Sequence, residues 1–138
     1  MPDRTSVSVG FRIRRPDAED QLLSASGHLY RMATGWALTC RFPDEAGVSD
    51  MTLVVRNSEI RMNRKGTVAQ EQLFLVGEWK PGTVGTPFGA MAAETWTHRI
   101  DQDLTPAGGS VEWVYDLKMM GTTFECCSIK LEIREEQT

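Results

Sequence analysis

The sequence has no excess of positive charge, few cysteines, no long apolar run and no convincing helical period. Fifteen Lys and Arg stand against nineteen Asp and Glu, for a net charge of −4 and a pI near 5.2. That balance argues against the basic stripe with which proteins hold nucleic acid or an anionic membrane surface. The one basic cluster, Arg12, Arg14 and Arg15, is followed at once by Asp17, Glu19 and Asp20, and reads as a solvated hairpin tip. Three cysteines, two of them adjacent, make no disulfide framework. Neighbours on a strand face opposite ways, so Cys126 and Cys127 do not naturally share a metal, and Cys40, Cys126 and Cys127 are expected as small hydrophobes. The apolar runs are far too short to span a bilayer as a helix. Met1-Pro2-Asp3-Arg4 shows no signal-peptide core, and the reducing cytoplasm is the expected compartment.

Catalytic patterns are equally scarce. His28 and His98 have no metal-ligand spacing to another ligand type. No strained nucleophile elbow is present, and no pair of carboxylates stands out for acid–base work, Glu94 being a lone carboxylate on a strand. Gly82, Gly85 and Gly89 precede no helix, so they do not build a phosphate loop. No catalytic residue, metal or cofactor is assigned, and an enzyme ranks behind non-enzymatic readings.

What the chain does have is alternation. Val7, Val9, Phe11 and Ile13 share one face of a first strand, and a second covers about 22–31 with Gly27 at a bulge or bend. Trp36, Leu38, Cys40 and Phe42 follow, then Met51, Leu53 and Val55, then Ile60 and Met62. A sixth strand is expected over about 68–76 and a seventh over about 91–101, with 77–82 leading into the turn between them. Val111, Trp113, Tyr115, Leu117 and Met119 give the cleanest alternation. In the last strand Phe124 has the opposite parity to Ile129, Leu131 and Ile133, which predicts a β-bulge near Cys126–Cys127. About eight or nine antiparallel strands, in one domain over 1–138 with ragged ends, imply an all-β closed or nearly closed barrel. At about eight strands a barrel is just wide enough to fill with side chains or to hold one small ligand.

Two features bear on function. Gly85-Thr86-Pro87-Phe88-Gly89 is a rigid turn at the barrel rim, with Thr86, Pro87, Phe88 and Gly89 at its apex. Arg64 has the parity of Ile60 and Met62, so it is expected to face the interior, where a guanidinium needs partners, with Glu71, Glu78 and Glu94 as candidates; the more ordinary reading is a rim arginine whose stem packs inward while its head reaches water, and the other a ligand anchor. Trp36, Trp113 and Tyr115 fit inward faces, whereas Trp79 and Trp96 are less easily buried.

Arg64-Lys65-Gly66, Phe74, Gly77, Thr86-Pro87-Phe88-Gly89 and Thr95 together resemble the YwiB-like family. The resemblance runs from about Val7 to Ile133. It implies a bacterial protein with a calycin-like (lipocalin-like) barrel and carries no established activity. The family's tyrosine and acidic residue at the end of the third strand are missing, since that region reads Cys40-Arg41-Phe42 with acids only at Asp44 and Glu45. A superfamily in which barrels often bind ligands favours a small apolar or amphipathic ligand, met by Arg64, Trp36, Trp113 and Tyr115. The alternative is a filled barrel that works through its surface, by protein contacts or as a homo-oligomer through Trp79, Trp96 and the corner from Thr86 to Gly89. Neither nucleic-acid binding nor membrane insertion is expected.

Overall fold

Period-two patterning with polar turns produces the expected class. The computed structural model describes residues 4–16, 18–44, 47–66, 69–86 and 89–136. Among these, ten strands and no helix occur: β1 (Arg4–Arg14), β2 (Gln21–Met32), β3 (Gly35–Asp44), β4 (Gly47–Val55), β5 (Glu59–Lys65), β6 (Gln70–Leu75), β7 (Trp79–Thr86), β8 (Gly89–Thr105), β9 (Gly108–Met119) and β10 (Thr122–Glu135). Each pairs antiparallel with the next, and β1 pairs with β10, so the sheet closes into a barrel with no free edge.

The tenth strand is β7, one more than the expected eight or nine. Its sequence, Trp79-Lys80-Pro81-Gly82-Thr83-Val84-Gly85-Thr86, reads as a turn because it holds a proline and two glycines. Tertiary pairing overrides that local signal. On one side β7 runs in continuous register with β8, from Trp79↔Trp96 to Thr86↔Gly89. On the other it meets β6 at a single backbone pair, Glu71↔Thr83. Proline carries no ladder N–H, and a Cβ at Gly82 would stand 2.4 Å from the Glu71 carbonyl oxygen. Side chains replace part of the missing ladder. Thr83 Oγ1 accepts the Glu71 N–H at 3.1 Å, and Gln70 Oε1 accepts the Gly85 N–H at 3.4 Å.

The inward faces follow the alternation. Val7, Val9 and Phe11 are buried, as are Leu38, Cys40 and Phe42, Met51, Leu53 and Val55, and Val111, Trp113, Tyr115 and Leu117. Phe74 is their hub from β6, with its ring 5.4 Å from that of Trp113 and 4.8 Å from that of Tyr115. Gly27 marks no bulge, because its pairing runs unbroken on both sides. It marks a close approach instead, since a Cβ there would meet the Thr39 carbonyl oxygen at 1.8 Å.

The bulge expected near Cys126–Cys127 is present: β10 shifts register between Phe124 and Cys127, and Cys126 has φ of 56°. A second bulge lies on β8, where register shifts between Thr97 and Arg99. Before it Ala93, Thr95 and Thr97 are buried; after it Ile100 packs against the core. Threonines on the inward face hid that parity change from the sequence.

Antiparallel hairpins place the β1–β2, β3–β4, β5–β6, β7–β8 and β9–β10 turns at one end of the barrel. The opposite end is packed by Val7, Leu29, Val55, Ile60, Phe74 and Ile133, all buried. A barrel's diameter grows with strand number, so ten strands enclose more width than eight. That extra width appears at the hairpin end.

Candidate functional site

At the hairpin end the barrel opens into a cavity of about 340 Å3. Its apolar lining includes Phe11, Leu23, Phe42, Met62 and Ile129 from β1, β2, β3, β5 and β10, with Trp113 and Tyr115 from β9. Its polar lining is Arg15, Glu19 and Gln21 from the β1–β2 hairpin and Arg64, Gln70 and Gln72 from β5 and β6. The volume falls at the lower end of the range of ligand pockets.

Arg64 reaches this cavity because it continues the inward parity of Ile60 and Met62. It is half-buried. Its guanidinium lies 4.8 Å from the Phe42 ring centroid, a cation–π contact, and Nη2 donates to Ser49 Oγ at 3.4 Å. The three carboxylates considered for it sit elsewhere. Glu71 and Glu94 are exposed on β6 and β8, and Glu78 faces Lys80 at 3.8 Å.

Tyr115 is buried beside Phe74. Burial drives its phenol well above the usual range, the neighbouring Cys127 adds to that, and Arg15 pulls the other way. Arg15 therefore acts electrostatically on the side chain behind it. Trp113 is wholly buried, and its indole N–H has no hydrogen-bond partner among the described residues. Gln72 is a buried polar residue whose Oε1 accepts from Gln70 Nε2 at 2.9 Å.

The structure brings together three of the four residues expected to meet a ligand: Arg64, Trp113 and Tyr115. Trp36 stands apart from the cavity, near the packed end. It is half-buried, and the Arg31 guanidinium lies 5.9 Å from its ring centroid. Of the rim turn, Pro87 and Phe88 lie outside the described residues. Thr86 and Gly89 pair to close the β7–β8 hairpin at the cavity end, and Gly85 beside them lines the cavity. Sequence reasoning missed Arg15, Glu19 and Gln72. Parity with Phe74 would have turned Gln72 inward; no local signal brings a hairpin tip onto the mouth.

Elsewhere the surface offers less. A wider depression of about 540 Å3 lies open on the outer wall over β1–β4, lined by Ser26, His28, Thr39, Arg41, Asp50 and Thr52 among others. Asp116, on the outer face of β9, accepts the Cys126 N–H at 3.0 Å and lies 2.8 Å from His98 Nε2. Partial burial pushes its carboxyl up, but the Cys126 N–H and the His98 ring outweigh that and hold it below the usual range. Cys40 is buried, and burial, then the charge of Asp50, push its thiol up to about 11, which leaves it unreactive. Among the described residues no three His, Cys, Asp or Glu side chains cluster as metal ligands. No described helix is long and apolar enough to cross a membrane.

No curated protein matches the chain. The crystal structure of the ywiB protein from Bacillus subtilis superposes with a TM-score of 0.82 at 18% identity, covering 99% of this chain and 96% of that one. At that identity the likeness establishes the fold. The model of a family described as a domain of unknown function, DUF1934, matches residues 9–131. With that match covering most of the barrel, the chain belongs to the DUF1934 family.

Proposed function

We propose that the barrel is a binding module that holds a small apolar or amphipathic molecule in the cavity at its mouth, with Arg64 meeting the polar end. One observation carries this reading: about 340 Å3 of space walled by apolar and aromatic side chains, with an inward arginine at its edge. An apolar body released from water gains roughly 25 cal/mol per Å2 buried, and a guanidinium partly shielded from solvent rewards a matching acceptor more than one in bulk water does.

The test is saturable uptake of 2-naphthol, followed by its fluorescence. Wild type is expected to bind it one to one. Met62→Trp is expected to fill the space and abolish uptake, while the far-ultraviolet circular dichroism stays that of a β protein. Absence of saturable binding to wild type overturns the reading.

A second reading is favoured by a surface feature. Trp79 and Trp96 face each other across β7 and β8 with ring centroids 5.9 Å apart, and Trp79 and Val76 are both exposed. Two copies of the chain meeting there would cover an apolar patch. Sedimentation equilibrium of wild type against Trp79→Ser decides it: a strictly monomeric wild type removes this reading.

A further inference from the structure

We infer that the molecule taken up at the barrel mouth buries an uncharged carbonyl oxygen against the side-chain amide of Gln72, which makes Gln72 a specificity-determining residue of the cavity. The inference rests on the binding-module reading and deepens it, because that reading leaves the chemistry of the ligand's inner end open.

Three observations lead there. The first is position. Gln72 is only 7% exposed, and it lines the cavity. The β5–β6 register sets Gln72 beside Met62, and sets Gln70 beside Arg64 one step nearer the hairpin. Gln72 therefore stands deeper than the arginine, and its neighbour on β5 is apolar.

The second observation is orientation. A backbone N–H can only donate, and that of Gly85 donates to Gln70 Oε1 at 3.4 Å. This leaves the Gln70 amide nitrogen to donate in turn, to Gln72 Oε1 at 2.9 Å. The oxygen of Gln72 is thereby committed, and the atom left over is its amide nitrogen, which carries two hydrogens. Gln70 is a positioning residue in this arrangement: its two bonds decide which end of Gln72 is free.

The third observation is that the nitrogen is unspent. Gln72 Nε2 has no acceptor among the described residues. It is also not one of their enclosed orphans, which are Thr97 Oγ1 and Trp113 Nε1, so it borders open space. On the inward face of β6 that space is the cavity. Water entering an empty cavity can accept from this amide. A purely apolar ligand that displaces the water strands the N–H, whereas a carbonyl oxygen replaces the lost bond. An amide donor is neutral, so it repays the burial of a carbonyl far better than that of a carboxylate, whose charge must also leave water.

The experiment is titration of the nitrogen-15-labelled full chain with three probes of one shape, followed by nuclear magnetic resonance: acetophenone, α-methylstyrene and benzoate. At roughly 30 Å3 per non-hydrogen atom each fits within about 340 Å3. Acetophenone is expected to bind at least about fivefold tighter than α-methylstyrene, the factor that a net hydrogen bond of about 1 kcal/mol supplies. Benzoate is expected to bind more weakly than acetophenone. The Gln72 side-chain amide protons are expected to move further downfield with acetophenone than with α-methylstyrene, a readout in wild type that depends on no variant folding. Gln72→Met keeps the length of the side chain and is expected to bring the two affinities together. Gln70→Ala frees the Gln72 amide to turn and is expected to shrink the preference.

Equal binding of acetophenone and α-methylstyrene, with 2-naphthol still taken up, overturns this inference alone. Tighter binding of benzoate overturns the uncharged class. A preference that survives Gln72→Met and disappears in Tyr115→Phe moves the donor to the Tyr115 hydroxyl and overturns the assignment to Gln72. A preference unchanged in Gln70→Ala overturns the positioning role of Gln70. Failure of 2-naphthol as well as the three probes removes both this inference and the reading beneath it.

Discussion

The wall formed by β8, β9 and β10 and the corner formed by β5, β6 and β7 are both irregular, in opposite ways. The wall has the longest strand, β8, and two bulges set within otherwise continuous ladders. Both bulges are pinned by one carboxylate, Asp116, which reaches His98 on one side and the Cys126 N–H on the other. The corner has short strands and a ladder reduced to one backbone pair between β6 and β7. Its far end bypasses β7 altogether: the Gly77 N–H donates to the Thr97 carbonyl at 2.9 Å, and Thr95 Oγ1 donates to the Leu73 carbonyl at 2.8 Å. A bulge costs little when its orphaned groups find a carboxylate. A missing ladder leaves adhesion to side chains and to the core beneath. The cavity borders the corner, through Gln70, Gln72, Val84 and Gly85, so the candidate site lies where the cylinder is least tightly laced.

The largest test of this contrast is Phe74→Ala. Phe74 fastens the corner to the wall through Trp113 and Tyr115, and its truncation is expected to cost about 3–5 kcal/mol in urea unfolding. Met62→Ala, at the edge of space that is already open, is expected to cost less. Equal losses would show that the corner does not depend on that single ring.

Gly82→Ala comes next. Its Cβ would press on the Glu71 backbone, so β7 must move away from β6, at a cost of about 1–3 kcal/mol. Native-state hydrogen exchange is expected to show the added opening in β6 and β7 and not in β9. Uniform acceleration around the barrel would contradict the idea of a local seam.

Asp116→Asn probes the wall instead. It weakens the hold on both bulges, with an expected loss of about 1 kcal/mol at neutral pH. Because the folded carboxyl sits below its ordinary value, its contribution is present above the unfolded pKa of about 4 and is lost as pH falls through the depressed folded value. The gap between wild type and Asp116→Asn should therefore close on acidification below about pH 4. A gap that persists in acid would mean that shape, and not charge, is what Asp116 supplies.

Gln70→Ala is the mildest change. It removes the acceptor for the Gly85 N–H and the donor to Gln72. It should shift stability by about 0.5–1 kcal/mol and speed exchange of the Gly85 amide. An unchanged Gly85 amide would show that the side chain is no substitute for the ladder.

Much of this could be read before any coordinates. Alternation assigns the inward faces of β1, β3, β4 and β9, and the parity slip between Phe124 and Ile129 locates one bulge. Arg64 is legible by the same rule, because a side chain two residues beyond Met62 must share its face. The rest was hidden for identifiable reasons. Pro81, Gly82 and Gly85 gave β7 the look of a loop, although pairing with β8 is enough to hold it extended. Thr95 and Thr97 made a buried face look polar, and so concealed the bulge at His98. Trp36 had the right parity for the interior and the wrong height in the barrel. Alternation fixes which way a side chain points and says nothing about its level along the axis.

The order of apolar and polar residues by itself determined an all-β chain, its inward faces and the direction of Arg64, because a strand's side chains alternate whatever surrounds them. Tertiary structure alone decided that ten strands close, that the packed and open ends differ, and that Arg15 and Glu19 join Arg64 at one mouth. Those outcomes depend on register and closure between segments far apart in the chain, which no local pattern encodes.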